Sequence, residues 1–157
     1  MRVLQFAFGT DPNSSYYRPF QYSRNSIAYT GTHDNNTTRG WFHDDQRINQ
    51  TDDDVARERS LVLDFVGSDG AEIHWDFMRL AWSSVSDIAM APMQDILGLG
   101  TEGRMNTPGT IEGNWLWRLG PAQFTPSIQR RLRRLTEICG RLGDFTLSSA
   151  MHPAQGL

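Results

Sequence analysis

Apolar residues fall along this chain in three short runs and three amphipathic stretches. Val3-Leu4-Gln5-Phe6-Ala7-Phe8 is almost continuously apolar and stops at Gly9-Thr10-Asp11. Ile27-Ala28-Tyr29-Thr30 closes on Gly31-Thr32-His33-Asp34-Asn35-Asn36, and Ile88-Ala89-Met90-Ala91-Pro92-Met93 is followed by Gln94 and Asp95. Unbroken rather than alternating apolar character marks a strand covered on both faces, so these runs predict three strands of a parallel sheet.

Three longer stretches carry the helical period. Thr51 ahead of Asp52, Asp53 and Asp54 caps orphan amides and sets acid at the positive end of a dipole; the helix turns Val55, Val62 and Phe65 inward and stops near Gly67. A second helix runs from Glu72 to about Ser86, with Ile73, Phe77, Leu80 or Ala81, and Ser84 on one face. A third is capped by Thr125 with Pro126 at its first position, carries a stripe of Ile128, Leu132, Leu135, Ile138 and Leu142, and ends at Gly143. Between these lie an aromatic, proline-interrupted loop from Asp11 to Ser26 and a glycine-rich loop from Leu97 to Gly109. The tail over residues 143–157 is expected to be poorly ordered.

Strands alternating with helices predict an α/β fold, and polar groups follow each strand at its C-terminal end: Asp11, then His33 and Asp34, then Gln94 and Asp95. Ligands of parallel α/β folds collect at that edge. A closed (β/α)8 TIM barrel needs about 250 residues. Three strands are less than half of one, and an interior strand at residue 3 has no lead-in, so the chain is expected to be part of a longer barrel.

Composition narrows the chemistry. The chain has 157 residues, 38% hydrophobic with 14 glycines, and a net charge of −3. It has no apolar run of membrane-spanning length and no signal-peptide core. The single cysteine, Cys139, allows no internal disulfide and no multi-cysteine metal site, which suits a reducing cytoplasm. All 15 basic residues are arginine, which rules out a Schiff-base lysine and a Gly-Lys-Ser/Thr phosphate loop within these residues. The negative balance argues against nucleic acid as a partner, and the run Arg130-Arg131-Leu132-Arg133-Arg134 reads as a solvated helix face.

The richest stretch is Tyr29-Thr-Gly-Thr-His33-Asp34-Asn35-Asn36-Thr-Thr-Arg-Gly-Trp41. A carboxylate, an imidazole and two amides on one turn suit a neutral polyhydroxyl ligand, with Tyr29, Trp41 or Phe42 able to stack on a sugar face. The same residues also fit an Asx-rich turn in which His33 caps a neighbouring strand. His33, Asp34, His43, Asp44 and Asp45 form a His/carboxylate cluster, but the spacing of the two imidazoles matches no familiar metal motif, so no metal is assigned. No Gly-x-Ser-x-Gly elbow occurs, and Gly98-Leu-Gly-Thr-Glu-Gly103 lacks the following helix of a phosphate loop. Trp115 and Trp117 read as core and wall in preference to ligand platforms, and Cys139 as a buried, inert thiol.

Four blocks occur in order: Met-Arg-Val-Leu-Gln-Phe-Ala-Phe; Tyr-Thr-Gly-Thr-His-Asp-Asn-Asn-Thr-Thr-Arg-Gly-Trp; Pro92-Met-Gln-Asp-Ile-Leu-Gly-Leu-Gly-Thr-Glu-Gly-Arg-Met-Asn106-Thr-Pro-Gly; and Gly-Asn-Trp-Leu-Trp-Arg-Leu. Together they resemble the C-terminal part of glycoside hydrolase family 77, the 4-α-glucanotransferases called amylomaltases, over residues 1–142. The resemblance implies a retaining enzyme on a (β/α)8 barrel that uses no cofactor, moving α-1,4-glucan segments to the 4-OH of an acceptor glucan or glucose. It places on Asp34 the catalytic-site aspartate that binds sugar hydroxyls and helps distort the reacting ring. It places substrate-binding roles on His33 and Asn106. Asn36 stands where the family commonly has aspartate.

The resemblance also implies that the nucleophile and the acid/base, about 5–5.5 Å apart in a retaining enzyme, lie on strands upstream of these residues. The partners implied are α-1,4-glucans and that N-terminal part of the barrel. The chain alone is then expected to be inactive. A non-catalytic, carbohydrate-contacting or complementing half is the alternative, and an intact small α/β fold with an unrelated pocket is a third.

Overall fold

A computed structural model describes residues 1–45, 47 and 50–143. The expected 143–157 tail therefore lies outside the described residues except for its first position. Three strands, β1 (Arg2–Val3), β2 (Ile27–Tyr29) and β3 (Ile88–Met90), pair in chain order and in parallel. Arg2 lies opposite Ala28 and Val3 opposite Tyr29, and Ile27, Ala28 and Tyr29 lie opposite Ile88, Ala89 and Met90. The helices are α1 (Thr38–His43), α2 (Asp52–Val66), α3 (Ile73–Ser83), α4 (Met93–Ile96) and α5 (Pro126–Ile138). The expected α/β class is what forms, as an open three-stranded sheet.

One sheet face packs on helices. Ala28, with Ala89 beside it, meets a core of Leu4, Phe42, Val62, Ile73, Phe77 and Ala81, most of them fully buried. α2 begins as its sequence dictates: Thr51 accepts from the Asp54 amide while the Asp54 carboxylate accepts from the Thr51 amide, and Gly67 ends the helix at φ 66°. The reciprocal cap satisfies two donors that the first turn leaves orphaned. A second core of Trp75, Met78, Ile96 and Leu135 joins α3, α4 and α5.

Four sequence expectations are corrected. The run Val3–Phe8 is a strand only at Val3; Leu4–Phe6 turns into a 3-10 helix, which buries Leu4, Ala7 and Phe8 but leaves Phe6 45% exposed. A continuous apolar run can be buried in either conformation, so burial alone did not specify a strand. β3 is not covered on both faces: Ile88 and Met90 are about half exposed, on the side of the sheet away from Ala28 and Ala89. β3 is also shorter than its run, because Pro92 breaks it and the chain re-enters a helix at Met93. Last, α5 stops at Ile138, with Gly140 at φ 65°, so Ile138 and Leu142 leave the buried stripe and are exposed.

Two polar devices lock this arrangement. The Asp95 carboxylate, 1% exposed, accepts from the Thr30 hydroxyl (2.6 Å), the Thr38 amide (2.7 Å) and the Thr38 hydroxyl (2.8 Å). One group on α4 thus holds the exit of β2 and the start of α1. At the other end of the sheet, the Arg141 guanidinium donates to the carbonyls of Trp82 (2.6 Å), Ser84 (2.9 Å) and Ser86 (2.7 Å), fastening the turn into β3.

Burial raises the Asp95 carboxyl above the usual carboxylate range, opposed by the bonds from Thr30 and Thr38. The folded chain therefore holds this proton more tightly than the unfolded chain, and the group's contribution becomes less favourable as pH rises through the raised value. Asp95→Ala removes three bonds to a buried acceptor and should lower unfolding free energy by about 2–4 kcal/mol. Urea titrations should show a larger gap between wild type and variant in mild acid than at neutral pH. A gap that shrinks on acidification contradicts the assignment.

Candidate functional site

The residues leaving β2 are held from three sides. Thr30 is tied to Asp95, Thr37 caps α1 by accepting from the Gly40 amide (3.0 Å), and the Asn36 carbonyl accepts from Gln5 Nε2 (2.9 Å). Gly31 leaves room for this contact, since a Cβ at that position would lie 2.6 Å from the Gln5 amide nitrogen and push that side chain aside. Gly40 lets α1 approach the 3-10 turn Thr101–Gly103, where Asn36 Nδ2 donates to the Thr101 hydroxyl (2.9 Å). Within the loop, the Thr32 amide and hydroxyl both donate to Asn35 Oδ1 (2.9 and 2.8 Å), an Asx-type closure that turns His33 and Asp34 outward.

Both residues line a cavity of about 520 Å³ at the C-terminal edge of the sheet. Asp34 is the single carboxylate lining it among the described residues. Its Oδ1 accepts from Asn106 Nδ2 at 2.6 Å and lies 3.4 Å from His33 Nε2. All three residues singled out in the sequence, Asp34, His33 and Asn106, are therefore in one cluster. The Asp34 and His33 side chains remain about half exposed. Tyr29, Met90, Pro92 and Met105 give the cavity an apolar wall. An apolar surface with a few convergent polar groups is the usual form of a small-molecule site.

Two further residues, Arg104 and Trp115, join the site without having been counted among its candidates in the sequence. Arg104 donates from Nη2 to the Asp34 carbonyl (2.9 Å) and from Nε to the Asn106 carbonyl (2.8 Å), stapling together loops 70 residues apart. Trp115, read from sequence as core or wall, is 52% exposed, lines the cavity, and lies 5.1 Å from the His33 ring. Its backbone sits at φ 62°, a conformation that costs a bulky residue about 1–3 kcal/mol. That backbone is held by its own amide on the Met105 carbonyl (2.7 Å) and by Arg118 on its carbonyl (2.8 Å).

Other candidates fall elsewhere. Phe42 is core, 4% exposed, and Trp41 packs on Phe77 beneath the Arg47 guanidinium, so of the three proposed stacking rings only Tyr29 lines the cavity. Asp45 pairs with Arg59, and no group of three or more metal-ligating side chains gathers among the described residues. Arg131 pairs with Glu72 and lies over Trp75, while Arg133 pairs with Glu137 on an exposed face. Cys139 is half-buried against the second core.

Comparison with known proteins gives one consistent answer. The family model described as 4-alpha-glucanotransferase matches residues 1–123. A 4-alpha-glucanotransferase of Synechocystis is 46% identical over 143 residues, covering 90% of this chain and 26% of that protein. One from Thermus thermophilus is 39% identical over 150 residues, 90% of this chain and 28% of the relative. The structure of amylomaltase from Streptococcus agalactiae in complex with acarbose superposes with a TM-score of 0.78 at 31% identity, covering 90% of this chain and 27% of that one. The chain thus spans about a quarter of the length of the relatives it matches. Among the described residues no helix is long and apolar enough to cross a membrane.

If Arg104 staples the two loops, Arg104→Ala should free both together. Hydrogen exchange over residues 32–36 and 105–115 should speed up about tenfold, the loss of roughly 1.4 kcal/mol of local stability, with α2 and α3 unaffected. Protection lost in only one of the two loops would show that they are not coupled through this side chain.

Proposed function

The chain belongs to the 4-alpha-glucanotransferase family, and we propose that it supplies the sugar-gripping wall of such an enzyme's active site. On this reading it forms three strands of a (β/α)8 barrel. The remaining strands pair with the edges at β1 and β3, and their inward side chains cover the face that leaves Ile88 and Met90 half exposed. The substrates are α-1,4-glucans as donor and acceptor, and the lone thiol Cys139 suits a reducing compartment such as the cytoplasm.

The observation that carries the proposal is the Asp34 cluster. Its carboxylate is fixed from one side by Asn106 and leaves its remaining acceptor capacity toward the cavity. A carboxylate so placed accepts from two neighbouring hydroxyls of one glucosyl unit. Those hydroxyls become more acidic as the ring flattens toward an oxocarbenium ion, so the bonds strengthen in the transition state and lower the barrier. His33, 3.4 Å from Asp34, offers an imidazole to a further hydroxyl, and Asn106 orients Asp34 while contacting the glucan.

Double displacement needs two more carboxyl groups, one attacking the anomeric carbon and one protonating the leaving oxygen. A second glucan's 4-OH, rather than water, then takes the glycosyl group. With Asp34 the single carboxylate on this cavity wall among the described residues, the reacting pair belongs to polypeptide outside it. This chain is then inactive alone.

Maltotriose incubated with the pure chain should yield no glucose and no longer maltodextrins; disproportionation would refute the split site. In a barrel completed by the upstream part, Asp34→Asn should lower kcat by about 10²–10⁴, the effect of losing several kcal/mol of transition-state binding. Glucan affinity should stay within a few-fold. Near-normal turnover would refute the role of Asp34.

A further inference from the structure

Trp115 carries two costs at one residue. It is a large apolar side chain left 52% exposed, and its backbone is held in the left-handed region that glycine favours. The chain's other tryptophans are spent differently: Trp75 is buried in the second core, Trp82 packs there and donates to the Thr136 hydroxyl, Trp41 lies on Phe77, and Trp117 is half-buried away from the cavity lining. Bulky residues persist at strained positions when the surroundings over-determine them, and such positions cluster where a ligand is handled.

The surroundings here do over-determine it. The Thr107 amide donates to Asn114 Oδ1 (2.8 Å) and Asn114 Nδ2 donates to the Thr110 hydroxyl (3.0 Å), closing the loop just ahead of Trp115. Met105 and Arg118 then pin both backbone groups of Trp115 itself. The result sets an indole against His33, at the same cavity as the Asp34 carboxylate.

A pyranose has two chemically different surfaces, flat C–H faces and a rim of hydroxyls. This cavity wall offers both complements, an aromatic plane beside a group of hydrogen-bonding side chains. We propose that Trp115 is the stacking platform for a glucosyl ring, aimed by its left-handed backbone, while Asp34 and His33 take the hydroxyl rim. The inference rests on the glucan-handling reading above and adds a residue to it.

Tryptophan fluorescence tests it with maltopentaose as the probe, on the full 157-residue chain. Wild type and Trp117→Phe should both show a saccharide-dependent change, and Trp115→Phe should lose it. Trp115→Ala should bind maltopentaose about three- to tenfold more weakly by calorimetry, Trp115→Tyr should recover most of the affinity, and circular dichroism should be unchanged in all. If Trp115→Ala does not fold, the Phe and Tyr variants still decide. An undiminished spectral response in Trp115→Phe, or wild-type affinity in Trp115→Ala, overturns the platform. If the wild-type chain meanwhile binds maltopentaose, the glucan reading itself stands. A wild-type chain that binds no maltopentaose at millimolar concentration overturns both.

Discussion

A buried carboxylate with no cation beside it among the described residues is the constraint on which the arrangement turns. Asp95 sits on α4, downstream of β3, yet its three acceptor contacts are all on Thr30 and Thr38, on either side of the Gly31–Thr37 loop. Placing a carboxylate in a nearly water-free position is costly unless donors converge on it. Here the donors that must converge are the two ends of the loop after β2. The desolvation penalty thus becomes a positional requirement: the loop that presents His33 and Asp34 cannot drift without exposing or orphaning Asp95.

From that anchor the rest of the site follows in layers. Thr37 and Gly40 start α1, Gly40 admits the Thr101 turn, and Asn36 binds that turn through its amide. Asparagine at position 36 is therefore a side chain with a defined partner. Beyond Thr101, Arg104 reaches back to the Asp34 carbonyl, so the loop after β2 and the glycine-rich loop after α4 are closed on each other from both ends. Burial holds the base of the site, and hydrogen bonds between short polar side chains hold its rim.

Much of this was legible in the sequence, for reasons that can be stated residue by residue. Thr51 and Thr125 announced α2 and α5, because capping is a local interaction written in adjacent residues. The three apolar runs located the sheet, and the polar residues after the second located the cavity. What failed was whatever depends on the far side of a contact. Leu4–Phe6 looked like strand because a short run does not say which backbone conformation buries it. Ile88 and Met90 looked fully covered because their pattern records a face meant for burial, not the neighbour that covers it. The inward pointing of Trp115 depends on Met105, Asn114 and Arg118 acting together, and no local pattern encodes a positive φ on tryptophan.

The Arg141 clamp has an implication for biogenesis. The strand nearest the cavity's apolar wall, β3, is secured at its entrance by a guanidinium 51 residues beyond Met90, the strand's last residue. A ribosome delivers the three strands before Arg141, so the clamp on the entrance of β3 becomes available only after all three have emerged. A product ending before Arg141 would carry His33, Asp34 and Asn106 and still lack the clamp that holds the entrance of β3.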